Sequence, residues 1–200
     1  MDKTCVLIIG DRSGSMALLL PEAVGGFNNF LHDQQKLNTK VELTFVLFDD
    51  QYEVICRNTL CQNVADMTVE TWKARGMTAL LDAIGKGIAD FTPDPKDKVV
   101  VVIITDGQEN SSKEYKKDDV KKLIEEKEKF GWKFIFLASD LSTIADAVSF
   151  GISAGSTYAF TANAVGTMRS YDAVSRTVSC YAINGTFDTT ALEDLEDLDK

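Results

Sequence analysis

Three short stretches carry the side chains from which chemistry can be built. Gly10-Asp11-Arg12-Ser13-Gly14-Ser15-Met16 follows one apolar run and Thr105-Asp106-Gly107 follows another, while Arg75-Gly76-Met77-Thr78 precedes an amphipathic segment. Between them they present the carboxylates of Asp11 and Asp106 and the hydroxyls of Ser13, Ser15 and Thr78, with no imidazole or thiol. That is a hard oxygen donor set, suited to Mg²⁺, Mn²⁺ or Ca²⁺ rather than to zinc or copper. The alternation in Asp11-x-Ser13-x-Ser15 turns several oxygens toward one point, and Gly14 is expected to relax the backbone of that turn. Two carboxylates only just neutralise a divalent ion. The ion therefore stays electrophilic enough to accept a carboxylate from outside the chain, and it inverts the local sign of an otherwise acidic protein.

In order and in loop placement, Asp11-x-Ser13-x-Ser15, Thr78 and Asp106 resemble the metal-ion-dependent adhesion site (MIDAS) of von Willebrand factor A domains. The resemblance extends over about the first 140 residues, by the order of strands and helices as well as of motifs. It implies that Ser13 and Ser15 ligate directly and Asp11 through water. It further implies that Thr78 is a second-loop ligand whose bond varies with conformational state, and that Asp106 is the third-loop carboxylate. A partner protein would then supply a Glu or Asp to the open position. Gly76-Met77-Thr78-Ala79-Leu80-Leu81-Asp82-Ala83 and Ile104-Thr105-Asp106-Gly107 look most like the intracellular, prokaryotic or phage-type members. Arg12, Arg75, Gln108, Glu109 and Asn110 flank these loops and form the candidate partner-binding rim, the arginines because they bind carboxylates bidentately.

Elements able to hold such loops are legible in the hydropathy pattern. Cys5 to Ile9, Val99 to Ile104 and Phe134 to Ala138 are continuous apolar runs, as expected of strands covered on both faces. Between them Leu20, Val24, Phe27 and Leu31 recur at helical spacing, as do Leu81, Ile84, Ile88 and Phe91, and then Val120, Leu123 and Ile124. Asp118 or Asp119 is the expected N-cap of the last of these helices and Gly131 its C-terminal cap. Val41 to Phe48 and Tyr52 to Arg57, separated by Asp49-Asp50-Gln51, read as an antiparallel hairpin at a sheet edge, with Asp49 and Asp50 as turn residues. Further along, Leu141 to Phe150 and Ala162 to Val174 read as helices flanking a short edge strand near Thr157 to Phe160. Thr177 to Ile183 reads as a last strand or an extended arm. The expected fold is α/β and doubly wound (Rossmann-like), with a mostly parallel sheet, one antiparallel edge strand and helices on both faces. Residues 1–186 are expected to form one domain and residues 187–200 a flexible acidic tail.

Composition narrows the function classes. The chain has 200 residues and a formal net charge of −10, which repels nucleic acid and anionic membrane. No stretch approaches the roughly 18 apolar residues of a membrane span, and the first ten residues read as lacking a secretory leader. Four scattered cysteines, Cys5, Cys56, Cys61 and Cys180, read as reduced thiols, so a cytoplasmic location is expected. His32, the only histidine, sits in an amphipathic helix away from the loops. Trp72 and Trp132 read as packing residues, with Trp72 the better candidate for a recognition anchor because it leads toward Thr78.

Three functions are compatible with these residues. The first is a binding module whose Mg²⁺ (or Mn²⁺ or Ca²⁺) bridges to a partner's carboxylate. The second is a scaffold or self-assembling protein with a structural or vestigial metal, self-association remaining open. The third, a Mg²⁺-dependent hydrolase, is disfavoured because aspartyl-nucleophile phosphatases carry a second carboxylate two residues after the first, where this chain has Ser13.

Overall fold

The computed structural model describes residues 3–197; Met1, Asp2 and residues 198–200 of the acidic tail lie outside them. The apolar runs become β1 (Thr4–Asp11), β4 (Lys98–Thr105) and β5 (Lys133–Ala138). The hairpin becomes β2 (Val41–Phe48) and β3 (Tyr52–Leu60), and the short edge strand becomes β6 (Thr157–Ala159). Among the described residues these form one sheet in the order β3-β2-β1-β4-β5-β6. All pairings are parallel except β2 with β3. The doubly wound fold with one antiparallel edge strand is therefore the one the hydropathy pattern calls for.

Continuous apolarity in the central strands has a simple cause. Alternate residues of β1 enter different cores: Val6 and Ile8 join one, and Cys5, Leu7 and Ile9 the other. The first core packs the sheet against α1 (Leu20–Gln35) and α6 (Ala164–Asn184), with Phe27, Phe45, Trp72 and Tyr171 fully enclosed. The second packs it against α3 (Leu80–Asp90), α4 (Lys117–Lys129) and α5 (Leu141–Ser149). A one-turn helix, α2 (Val69–Trp72), returns the chain from β3 to the end of the sheet where β1 finishes.

Helix ends bear out one expected cap and move another. Gly131 takes a positive φ of 84° just after α4, where a side chain would be strained. At the other end, neither Asp118 nor Asp119 is the N-cap. The helix begins after Lys116, and Asp119 in its first turn accepts the Lys116 N–H at 3.1 Å, the returning half of a capping box.

The C-terminal third departs most from expectation. The helix expected over Ala162 to Val174 is present from Ala164 onward, but Thr177 to Ile183 is neither a strand nor an extended arm: it continues that helix as the second half of the 21-residue α6. Its buried stripe is Thr167, Ser170, Tyr171, Val174, Thr177, Val178 and Ala182, helically spaced but largely of small or hydroxyl-bearing residues. Hydropathy alone does not register such a stripe. The supposed flexible tail folds in its described part as α7 (Thr190–Asp197), packed on α6 with Leu192 and Leu195 buried. Glu193 and Asp194 lie between two leucines three residues apart, and burial of those leucines outweighs repulsion along the run. Leu192→Ala is therefore expected to cost about 2–3 kcal/mol. For a chain of this size that lowers the thermal midpoint by roughly 5–10 °C. A melt indistinguishable from wild type would mean that α7 contributes nothing to the fold.

Candidate metal centre

The strand order reverses between β1 and β4, which lie side by side with β2 and β5 outward. Their carboxyl ends splay apart into a crevice there. Asp11 ends β1 and Asp106 follows β4, so topology alone brings the first and third loops together. The second loop arrives by packing. Trp72, at the end of α2, is fully buried and donates its indole N–H to the Asp11 carbonyl at 3.1 Å. Arg75 N–H then donates to the Arg12 carbonyl at 2.7 Å, and Gly14 N–H to the Gly76 carbonyl at 3.2 Å. These bonds lay the Arg75–Thr78 segment along the first loop. Gly76, not Gly14, is the glycine this turn requires. Its φ is +70°, and a Cβ there would fall 2.3 Å from Asp50 Oδ1.

The five candidate ligands converge. Ser13 Oγ lies 3.0 Å from Ser15 Oγ, and Ser15 Oγ donates to Asp106 Oδ1 at 2.6 Å. Gly107 marks the middle of the group. A Cβ added there would stand 3.1 Å from Thr78 Oγ1, 3.5 Å from Ser15 Oγ and 3.7 Å from Ser13 Oγ. Three hydroxyls from two loops thus surround one point beside the third-loop carboxylate. Asp11 is set behind them, almost wholly buried, accepting the Ser13 N–H at 2.6 Å and the Thr105 hydroxyl at 2.5 Å.

The electrostatics suit a cation. Burial pushes the Asp11 carboxyl up to about 6 against the bonds from Thr105 and Ser13, and the nearby charge of Asp106 adds to the rise. Asp106 is also raised, first by burial and further by Asp140, with the Ser15 hydroxyl opposing. Two carboxylates whose ionised forms are disfavoured in one crevice are relieved by a positive ion between them. Among the described residues no three His, Cys, Asp or Glu side chains group as a metal cage. The donors here are hydroxyls backed by two carboxylates, which fits a hard divalent ion with coordination to spare.

Most of the expected rim proves to be internal support. Arg12 is buried, with Nη1 2.5 Å from Glu53 and Nε 3.6 Å from Asp49. A partner's carboxylate cannot reach it. Arg75 is half-exposed, but its Nε donates to Asp49 Oδ2 at 2.7 Å and its Nη2 to Gln51 Oε1 at 3.0 Å. Asp49 is accordingly more than a turn residue, since it gathers both arginines and its carbonyl accepts the Ala79 N–H at 2.9 Å. Glu109 caps the start of α3 through the Leu81 N–H at 2.8 Å. Asn110 brackets Thr78, accepting its N–H at 2.9 Å and donating to its carbonyl at 3.0 Å. Gln108 is exposed and reaches Ser142.

Thr105 and Asn110 thus orient ligands that motif reading alone had singled out. Thr105 was legible as the hydroxyl beside Asp106, whereas nothing local distinguishes Asn110 from an ordinary loop residue. Trp72 is a buried strut rather than a recognition anchor. His32 lies away from the site and pairs with Asp66 at 2.8 Å.

No protein-family profile matches the chain, and no curated protein matches it in sequence. Solved structures do match it in shape. The chain has a von Willebrand factor A-type fold. A von Willebrand factor type A structure from Catenulispora acidiphila superposes with a TM-score of 0.64 at 14% identity, over 89% of this chain and 43% of that one. The pilus adhesin SpaC from Lactobacillus rhamnosus GG gives 0.73 at 13% identity, over 91% and 31%. Proximal thread matrix protein 1 from the mussel byssus, with a zinc-occupied MIDAS motif, gives 0.66 at 15% identity, over 89% and 46%. The chain thus spans less than half the length of these von Willebrand factor A-type neighbours. None of its described helices is long and apolar enough to cross a membrane.

Proposed function

We propose that the chain is a divalent-cation-dependent protein-binding module rather than an enzyme. Asp11, Ser13, Ser15, Thr78 and Asp106 hold Mg²⁺, or Mn²⁺ or Ca²⁺ in its place, and a partner protein supplies a Glu or Asp. The convergence of three hydroxyls on Gly107 beside Asp106 carries this reading. When bound, the ion supplies the positive charge that attracts the partner's carboxylate. The chain's own residues do the rest: Trp72, Asn110 and the Arg12–Asp49–Arg75 cluster fix the loops, and Asp11 anchors the first loop from behind. The adhesive and matrix proteins that share the fold support a binding role.

Calorimetry on the metal-stripped chain tests the reading. Mg²⁺ is expected to bind at one saturable site, and Asp106→Ala to weaken it at least about 100-fold. At a hundredfold excess over the dissociation constant, Mg²⁺ should add about 2.7 kcal/mol of stability and raise the thermal midpoint by roughly 5–10 °C. Zn²⁺ joins Mn²⁺ and Ca²⁺ as titrants because the byssus neighbour's motif holds it. If no ion gives saturable heats or a midpoint shift, the metal-bridge reading is wrong.

A further inference from the structure

The rim that was expected to be polar also carries large exposed apolar side chains. Leu18, at the end of the turn that contains Ser15, is 90% exposed; Met77, next to Thr78, is 54% exposed; Leu141, next to Asp140, is 76% exposed. Each belongs to a segment bonded to the centre. Ser15 reaches Asp106, Gly76 accepts from Gly14, and Ser142 accepts from Gln108, two residues past Asp106. Ser139, just before Asp140, donates to the Asp106 carbonyl at 3.2 Å.

Eight large apolar side chains are exposed among the described residues, and these three stand in or beside the loops around one crevice, Leu141 as the first residue of α5. Val165, at the start of α6, stands at the same end of the sheet. The other four are scattered along α2, α5, the end of α4 and the end of α6. Exposed apolar residues that occur singly need no explanation, but a group around a polar site marks a contact surface.

The charged neighbours do not compete for this role. Asp49 is bonded to Arg75, Glu53 to Arg12, and Asp140 to the N–H and hydroxyl of Thr143. Both arginines of the loops are thereby paired within the chain, Arg12 buried and Arg75 half-exposed.

We infer that the partner presents its metal-binding Glu or Asp between large apolar side chains, which cover Leu18, Met77 and Leu141 while the cation takes the carboxylate. The inference rests on the metal-bridge reading and names the chemistry of its partner. The cation fixes one point, and the apolar rim selects among the many surface carboxylates that could reach it.

The test uses the ¹⁵N-labelled full chain and three capped pentapeptides followed by amide chemical shifts. Their central glutamate is flanked by leucine and phenylalanine, by two serines, or by two lysines. In Mg²⁺ the apolar peptide should bind about tenfold tighter than the serine peptide, and chelator should abolish its binding. Leu18→Ser combined with Leu141→Ser should erase that advantage while calorimetric Mg²⁺ affinity stays at the wild-type value. Both positions are exposed, so the fold tolerates the change.

Equal affinities, a preference for the lysine peptide, or no peptide binding at millimolar concentration in a chain that binds Mg²⁺ overturns this inference alone. Mg²⁺-dependent dimers lost in the double variant would overturn it too, by assigning the face to a second copy of the chain. Failure of the wild type to bind Mg²⁺ would instead remove the parent reading.

Discussion

Gly107→Val is expected to abolish saturable Mg²⁺ binding while leaving the metal-free protein within about 3 °C of the wild-type thermal midpoint. Gly107 is not among the glycines of positive φ, so its backbone accepts a side chain. The three atoms nearest an added Cβ are all hydroxyl oxygens, those of Thr78, Ser15 and Ser13. A methyl-bearing side chain would therefore enter the very point on which the ligands converge without striking the hydrophobic cores. The surrounding hydroxyls can turn aside, which keeps the cost to folding small. Gly107→Ala provides a graded control: its Cβ at 3.1 Å from Thr78 Oγ1 forces a shift of a few tenths of an ångström. Its Mg²⁺ affinity should fall between the wild type and Gly107→Val. Calorimetry and thermal melts on all three proteins make the comparison. Undiminished Mg²⁺ binding by Gly107→Val would place any metal elsewhere.

Trp72→Ala should act on fold and site together. The indole is fully buried, 5.2 Å from the Phe45 ring and 6.0 Å from that of Phe27 by centroids, and its N–H holds the Asp11 carbonyl. Truncating a large core aromatic costs about 3–5 kcal/mol, to which a lost hydrogen bond adds about 1 kcal/mol. A chain of this length should lose roughly 10–15 °C in thermal midpoint. Mg²⁺ affinity should fall as well, since Trp72 stands three residues before Arg75, where the segment that delivers Thr78 begins. Trp72→Phe separates the two effects: it keeps most of the ring, removes the donor and costs about 1 kcal/mol, or roughly 2–4 °C. Melting curves like that of the wild type for both variants would contradict the strut role and restore Trp72 as a surface contact.

The sheet and the ligand-bearing loops could be read from sequence because both depend on short-range pattern. β1, β4 and β5 are unbroken apolar runs, buried on both faces, and Asp11-x-Ser13-x-Ser15 and Asp106 stand at their ends. Their side-chain types, carboxylates and hydroxyls without imidazole or thiol, are those that suit a hard cation. The second half of α6 escaped because serine, threonine and alanine interrupt the valines and the tyrosine of its buried face, which blurs the helical period. α7 escaped because eight acids and leucines in a row, Leu192 to Asp199, advertise solvation, and only the surface of α6 decides that Leu192 and Leu195 are buried.

The roles of the arginines were likewise a matter for tertiary structure. Nothing in the order Asp11-Arg12-Ser13 distinguishes an arginine that faces a partner from one that turns inward. Asp49 and Glu53, about 40 positions further along the chain, settle it by meeting Arg12 from the hairpin. An ion pair between distant segments leaves no periodic trace in either of them. Residue types and their spacing along single strands therefore determined what chemistry the proposed centre would support. Which side chains perform it, which ones support them and which remain free for a partner depended on contacts between segments far apart in the chain.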